Sequence, residues 1–156
     1  LPAGWRVAGT GDFNADGQTD IVLLHDDGSV AFWLMEKTTL KRGVVAFKIP
    51  AGWKIVGTAD FDRDGQGDFM LLHESGLVAF WFMNGMSFSF GVVLFGAPAG
   101  WEIIGTGDFN ADGEPDILLQ NADGYLAYWL MRGIEIKSAV LGQRIEDAAW
   151  RLAGSR

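Results

Sequence analysis

Short runs of apolar and β-branched residues, broken by Gly- and Asp-rich turns, occupy the chain almost from end to end. Trp5 to Gly11 is a β-compatible run that stops at an acidic stretch, Asp12 to Asp20. Ile21-Val22-Leu23-Leu24-His25 follows, then the turn Asp26-Asp27-Gly28, where Asp-Gly suits the positive φ of a tight hairpin. Ser29 to Met35 is rich in β-branched and aromatic residues and reads as a third strand. A turn at Glu36-Lys37 leads to a fourth run near Leu40 to Phe47, and Pro50-Ala51-Gly52 closes the unit. No stretch keeps a 3.6-residue period between capping signals, so little helix is predicted.

The pattern then repeats. Trp5, Trp53 and Trp101 each follow Ala-Gly at a spacing of 48 residues, and Trp150 follows 49 residues later. The copies read AGWRVAGTGDFNADGQTDIVLLHDDGSVAFWLM, AGWKIVGTADFDRDGQGDFMLLHESGLVAFWFM and AGWEIIGTGDFNADGEPDILLQNADGYLAYWLM. Four antiparallel strands per repeat of about 40–50 residues is the signature of a propeller blade. The expected fold is therefore all-β, with one repeat domain over 1–156. Its blades are expected at about 3–48, 51–96 and 99–144, with the first strand of a fourth at 147–156. The faces that pack blade on blade are expected to carry Val7, Ile55 and Ile103, then Phe13, Phe61 and Phe109, then Trp33, Trp81 and Trp129.

Each repeat contains one acidic loop of nine residues. Oxygen-bearing side chains stand at loop positions 1, 3, 5 and 9, with Gly at position 6. They are Asp12, Asn14, Asp16 and Asp20 in the first loop, Asp60, Asp62, Asp64 and Asp68 in the second, and Asp108, Asn110, Asp112 and Asp116 in the third. Calcium takes about 6–8 oxygen ligands, and a chain curling around it can offer alternate side chains and then a backbone carbonyl at position 7. Those carbonyls belong to Gln18, Gln66 and Glu114. Gly17, Gly65 and Gly113 allow the sharp turn. Three Ca²⁺ sites are expected, and Mg²⁺ fits less well because it demands a tight octahedron and keeps its waters. An ordinary Asp/Gly turn is the bland alternative, but clustered carboxylates raise one another's pKa unless a cation intervenes. An EF-hand fails, since it needs Glu at position 12, where Leu23, Leu71 and Leu119 stand inside apolar strands.

The GDFNADGQTDIVLL-type segments resemble FG-GAP or VCBS-type repeats, the calcium-binding blades of integrin α-like propellers and of many secreted bacterial proteins. The resemblance covers the three full repeats. It implies a β-propeller in which the metal loop joins the first and second strands of each blade, with the loop side chains and position-7 carbonyls as ligands. It also implies a secreted or cell-surface protein working in adhesion, glycan binding or as an accessory domain.

Composition narrows the partners. A formal net charge of −8 lacks the basic footprint that nucleic acid requires. The chain has no cysteine, which removes disulfides, thiolate metal sites and a Cys nucleophile. No apolar run is long enough to insert in a bilayer. Gly9-Thr10-Gly11 is only a GxG, and its recurrence marks it as blade structure rather than a nucleotide loop. His25 and His73 hold equivalent places taken by Gln120 in the third copy, so they read as strand-end hydrogen bonders. No Ser/His/Asp set or Glu pair stands out from the repeat, and a non-enzymatic binding module is expected, either a lectin or an adhesion scaffold. The alternative is an accessory propeller of a secreted carbohydrate-active enzyme. Platforms for a glycan would be Trp5, Trp53 and Trp101 or the turn around Lys37, Gly85 and Gly133. Three blades fall short of the usual ring. Either two chains close one ring as a dimer, or the chain is cut from a longer propeller.

Overall fold

The computed structural model describes residues 1–145, the side chain of Phe95 excepted. Twelve strands form three sheets of four among these residues. The first sheet runs β1 (Trp5–Gly11), β2 (Asp20–His25), β3 (Ser29–Glu36), β4 (Thr39–Lys48). The second runs β5 (Trp53–Ala59), β6 (Asp68–His73), β7 (Leu77–Asn84), β8 (Ser87–Gly96). The third runs β9 (Trp101–Gly107), β10 (Asp116–Asn121), β11 (Tyr125–Arg132), β12 (Glu135–Arg144). Every pairing is antiparallel between strands consecutive in sequence. These are propeller-type blades, as the repeat predicts. The strand expected in 147–156 lies outside the described residues.

The apolar runs that lack alternation, such as Phe69-Met70-Leu71, are strands buried on both faces. Phe69 and Leu71 pack with Phe13, Val22, Leu24 and Phe32 of the first sheet. Met70, between them, turns to the opposite face and packs with Ile103, Ile117, Leu119 and Met131 of the third. Two apolar layers result, one at each junction between sheets.

The junctions explain where the expected packing positions depart from equivalence. Ile55 and Ile103 are 6% and 4% exposed, but Val7 is 54% exposed. Phe13 and Phe61 are 0% and 1% exposed, but Phe109 is 44% exposed. Val7 and Phe109 were expected to be packed; they stand on the two outer faces, where no further sheet covers them among the described residues. Trp129 is buried, whereas Trp33 and Trp81 are only half-buried.

The first strands of the sheets also touch one another, β1 against β5 and β5 against β9. Each carries a register shift just beside a glycine, at Val7/Gly9 and Ile55/Gly57 and, in the third sheet, opposite Leu118/Leu119. The Thr58 hydroxyl donates to the carbonyl of Thr10 at 2.8 Å and accepts from the Thr10 N–H at 3.1 Å. The Thr106 hydroxyl donates in turn to the carbonyl of Thr58 at 3.1 Å. A Cβ on Gly9 would collide with Thr58, and one on Gly57 with Thr106. A threonine seated on the preceding sheet's glycine is thus the polar part of each junction.

Candidate metal-binding loops

The acidic loops join the first and second strands of each sheet and lie together at one end of the blades. Their backbone is organised by the acidic side chains themselves. Asp12 accepts the Gly17 N–H at 2.7 Å, Asp60 that of Gly65 at 2.9 Å, and Asp108 that of Gly113 at 2.9 Å. Asn14, Asp62 and Asn110 accept the N–H of Asp16, Asp64 and Asp112. Asp16, Asp64 and Asp112 accept that of Gln18, Gln66 and Glu114. The result is a coil of nested turns. Position 6 has positive φ in all three loops (78°, 87° and 82°), as its glycines require. Position 4 does too, at Ala15, Arg63 and Ala111, which have side chains. That left-handed conformation costs about 1–2 kcal/mol per non-glycine residue, and no residue type in the sequence announces it.

The aspartates at position 9 do more than offer a ligand atom. Asp20, Asp68 and Asp116 are fully buried. One oxygen of each accepts the N–H of the loop phenylalanine: Phe13 at 3.1 Å, Phe61 at 3.0 Å, Phe109 at 3.0 Å. The other accepts an N–H from the third strand, that of Met35 at 2.8 Å, Met83 at 2.9 Å and Met131 at 2.9 Å. A carboxylate has about four lone-pair sites, so room remains for a cation.

Position 7 also serves twice. Its side chain reaches the turn between the third and fourth strands: Gln18 Oε1 accepts from Lys37 N, Gln66 Oε1 from Gly85 N at 2.6 Å, and Glu114 Oε2 from Gly133 N. The sequence reading concerned only the carbonyls of these residues. The turn around Lys37, Gly85 and Gly133, a candidate glycan platform in the sequence, is therefore tied to the metal loop.

In the second loop three carboxylates converge. Oxygens of Asp60, Asp62 and Asp68 lie within 4.8 Å of one another. Asp64 accepts from the Gln66 backbone and side-chain nitrogens at 2.8 and 3.0 Å. Burial, then repulsion from Asp62 and Asp64, pushes Asp68 up to about 6 against the bonds from Met83 and Phe61. Asp62 is raised by the same causes, burial first and then Asp64 and Asp60. Arg63 does not offset this charge. It pairs with Glu114 of the third loop at 2.8 Å. In that loop Asp112 is lowered by the Glu114 N–H first and by Asn110 next, with Lys137 and Arg63 adding to it.

Asn14 and Asn110 replace the carboxylate at position 3 in the first and third loops. Each donates its amide NH₂ to the position-5 aspartate, Asp16 at 3.0 Å and Asp112 at 2.9 Å.

The tryptophans lie at the opposite end of the same hairpins, where Trp5 pairs with His25 while Gly11 pairs with Asp20. The Trp5 and His25 rings are 5.0 Å apart, and those of Trp53 and His73 are 4.9 Å apart. Trp53 and Trp101 also pack against the two apolar layers.

A family model described as FG-GAP-like repeat matches residues 12–71 and again 60–119. The chain belongs to the FG-GAP-like repeat family. Each FG-GAP match runs from one acidic loop through the second strand of the next blade. A search of solved structures matches a crystal structure of BBS1N in complex with ARL6DN, soaked with lead. The likeness has 15% identity and a TM-score of 0.32, and covers 84% of this chain and 52% of that one. No curated protein matches the chain. Among the described residues no helix is long and apolar enough to cross a membrane.

Proposed function

We propose that the chain is a calcium-bearing, non-enzymatic binding scaffold that works outside the cell, secreted or at the cell surface, and recognises a glycan or an extracellular protein. The observation that carries this reading is the convergence of Asp60, Asp62 and Asp68, whose ionised forms repel one another while Arg63, the arginine of that loop, pairs with Glu114. A divalent cation removes that conflict. The donors fit calcium: every one is an oxygen, and a curled loop with both side-chain and carbonyl oxygens suits a large, hard ion. The second site would use Asp60, Asp62, Asp64, Asp68 and the Gln66 carbonyl. The first would use Asp12, Asn14, Asp16, Asp20 and the Gln18 carbonyl, and the third Asp108, Asn110, Asp112, Asp116 and the Glu114 carbonyl.

Bound there, the ion supplies positive charge to an anionic coil. The position-7 and position-9 side chains then link that coil to the third strand and the turn beyond it. FG-GAP-like repeats are typical of extracellular proteins, which supports the location. The half-buried Trp5 and Trp53, each beside an imidazole at the end opposite the loops, support a glycan platform there.

Titration calorimetry of the metal-stripped protein tests the reading. Calcium uptake at three sites with weak magnesium uptake is expected, and no heat from calcium overturns it. A glycan array with the wild type and Trp53→Ala then tests the ligand class.

A further inference from the structure

The first two acidic loops share a backbone hydrogen bond: the Gly67 N–H donates to the Asp12 carbonyl at 2.8 Å. Asp12 opens the first loop, and Gly67 stands at position 8 of the second, between Gln66 and Asp68. The donor therefore belongs to the same peptide group as the Gln66 carbonyl, the position-7 oxygen of the second site. So close an approach needs glycine, since a Cβ on Gly67 would lie 2.8 Å from two carbons of the Phe13 ring. Gln66 meets the first loop by a second route as well. Its side-chain oxygen accepts the Gly85 N–H at 2.6 Å, and a Cβ on Gly85 would come within 3.4 Å of the Phe13 carbonyl. The third loop cannot make the first of these links, because its position 8 is Pro115, which has no N–H.

We infer that the first and second calcium sites are coupled through the Gly67–Asp12 bond, each binding more tightly when the other is filled, with the third outside this coupling. The inference rests on the calcium reading above. Resonance joins the two ends of a peptide group. When the Gln66 oxygen is coordinated, density is drawn from the nitrogen of its peptide, and the Gly67 N–H becomes the stronger donor. The Asp12 carbonyl is then held more firmly, and with it the residue whose side chain accepts the Gly17 N–H at 2.7 Å. Linkage makes the effect mutual, so order imposed on Asp12 from its own site returns the same factor to the second. Across the next junction Arg63 and Glu114 meet at 2.8 Å through side-chain atoms, which leaves the Glu114 peptide out. Through-space charge acts on both loops that flank the second, so a difference between the first and the third isolates the bond.

Calcium titration of the nitrogen-15-labelled chain tests this, with the amides of Gly17, Gly65 and Gly113 reporting the three loops separately. Asp64→Ala is expected to disable the second site and weaken the first by about two- to tenfold, the range one hydrogen bond supplies, with the third changed by less than about twofold. Asp16→Ala should weaken the second site by the same factor. In Asp16→Ala, where the second loop still fills, calcium should also raise the scalar coupling between the Gly67 nitrogen and the Asp12 carbonyl carbon. Dispersed amide spectra report that each variant is folded, and if Asp64→Ala is not, the effect of Asp16→Ala on the second site decides. A first site that keeps its affinity in folded Asp64→Ala overturns the inference and leaves the metal sites standing, and so does a loss shared equally with the third. Amides that ignore calcium in all three loops overturn the calcium reading together with it.

Discussion

Arg63, in the loop of the second sheet, holds Glu114 in the loop of the third at 2.8 Å. The positive charge encoded in one acidic loop is thus spent on the next. Arg63→Ala should therefore tighten calcium binding at the third loop and leave the second little changed. Arg63 is the exposed partner, and a pair open to solvent on one side is worth on the order of 1 kcal/mol, so the melting temperature should move little. Calorimetry on Arg63→Ala checks it, and a larger change at the second loop would show that Arg63 acts on its own site.

Calcium should stabilise the fold. A ligand that binds only the folded state adds about 2.7 kcal/mol per site at a hundredfold excess over Kd. Chelation should lower the melting temperature by many degrees, with Mg²⁺ restoring little of it. Superimposable melting curves with and without chelator would sink the metal assignment.

The second site should be the strongest, because it offers four carboxylates and its arginine is engaged elsewhere. In the third loop Lys137 and Arg63 already lower Asp112. Asp64→Ala should therefore cost more calcium-dependent stability than Asp16→Ala or Asp112→Ala. Thermal melts of the three variants at one calcium concentration decide the order.

In chelator, stability should fall as pH rises from about 4 to about 6. Asp68 keeps its proton in the fold up to about 6, while its ordinary value is 3.8, so the folded state binds the extra proton across that window. Raising the pH strips the proton and leaves a buried charge. Asp27 titrates in the opposite sense, since Lys48 holds it below the ordinary range, and its effect is confined to more acid solution. Chelator melts across this pH range, with Asp68→Asn as a control of shallower slope because Asp62 is still raised, check the sign. A wild type that gains stability from pH 4 to 6 would contradict it.

Lys37→Gly should stabilise the chain. Lys37 has φ 55° at the turn where Gly85 and Gly133 have 59° and 58°. Relief of the left-handed penalty, about 1–2 kcal/mol, exceeds the entropic cost of glycine, about 0.5–1 kcal/mol. The net gain of up to about 1.5 kcal/mol raises the melting temperature by about 2–4 °C per kcal/mol in a chain of this size. The Gln18 bond to this residue uses its backbone N–H and survives the change. A lower melting temperature would show that the lysine side chain has a role of its own.

The strands and loops were legible because they recur: Phe69-Met70-Leu71 reads as a strand once Ile21-Val22-Leu23 and Ile117-Leu118-Leu119 stand at the same place in the other copies. The second role of Asp20, Asp68 and Asp116 was not, because a carboxylate that takes the N–H of Met35, Met83 or Met131 bonds to backbone fifteen residues on. Backbone donors leave no mark on residue type. The exposure of Val7 and Phe109 was hidden for another reason. Their sequence positions equal those of buried residues, and only the count of neighbouring sheets separates them. Arg63 stands in the second loop, but its partner Glu114 lies in the third, and reach across a junction leaves no mark on the sequence.

Gly9 and Thr10 are neighbours in the chain, as are Gly57 and Thr58, and Gly105 and Thr106. Socket and plug therefore travel together on one dipeptide. Any tandem duplication of a 48-residue unit, wherever its ends fall, delivers a matched pair, and no compensating substitution is needed in the older copies. Such a fold can lengthen one whole unit at a time, with its joints correct from the first generation.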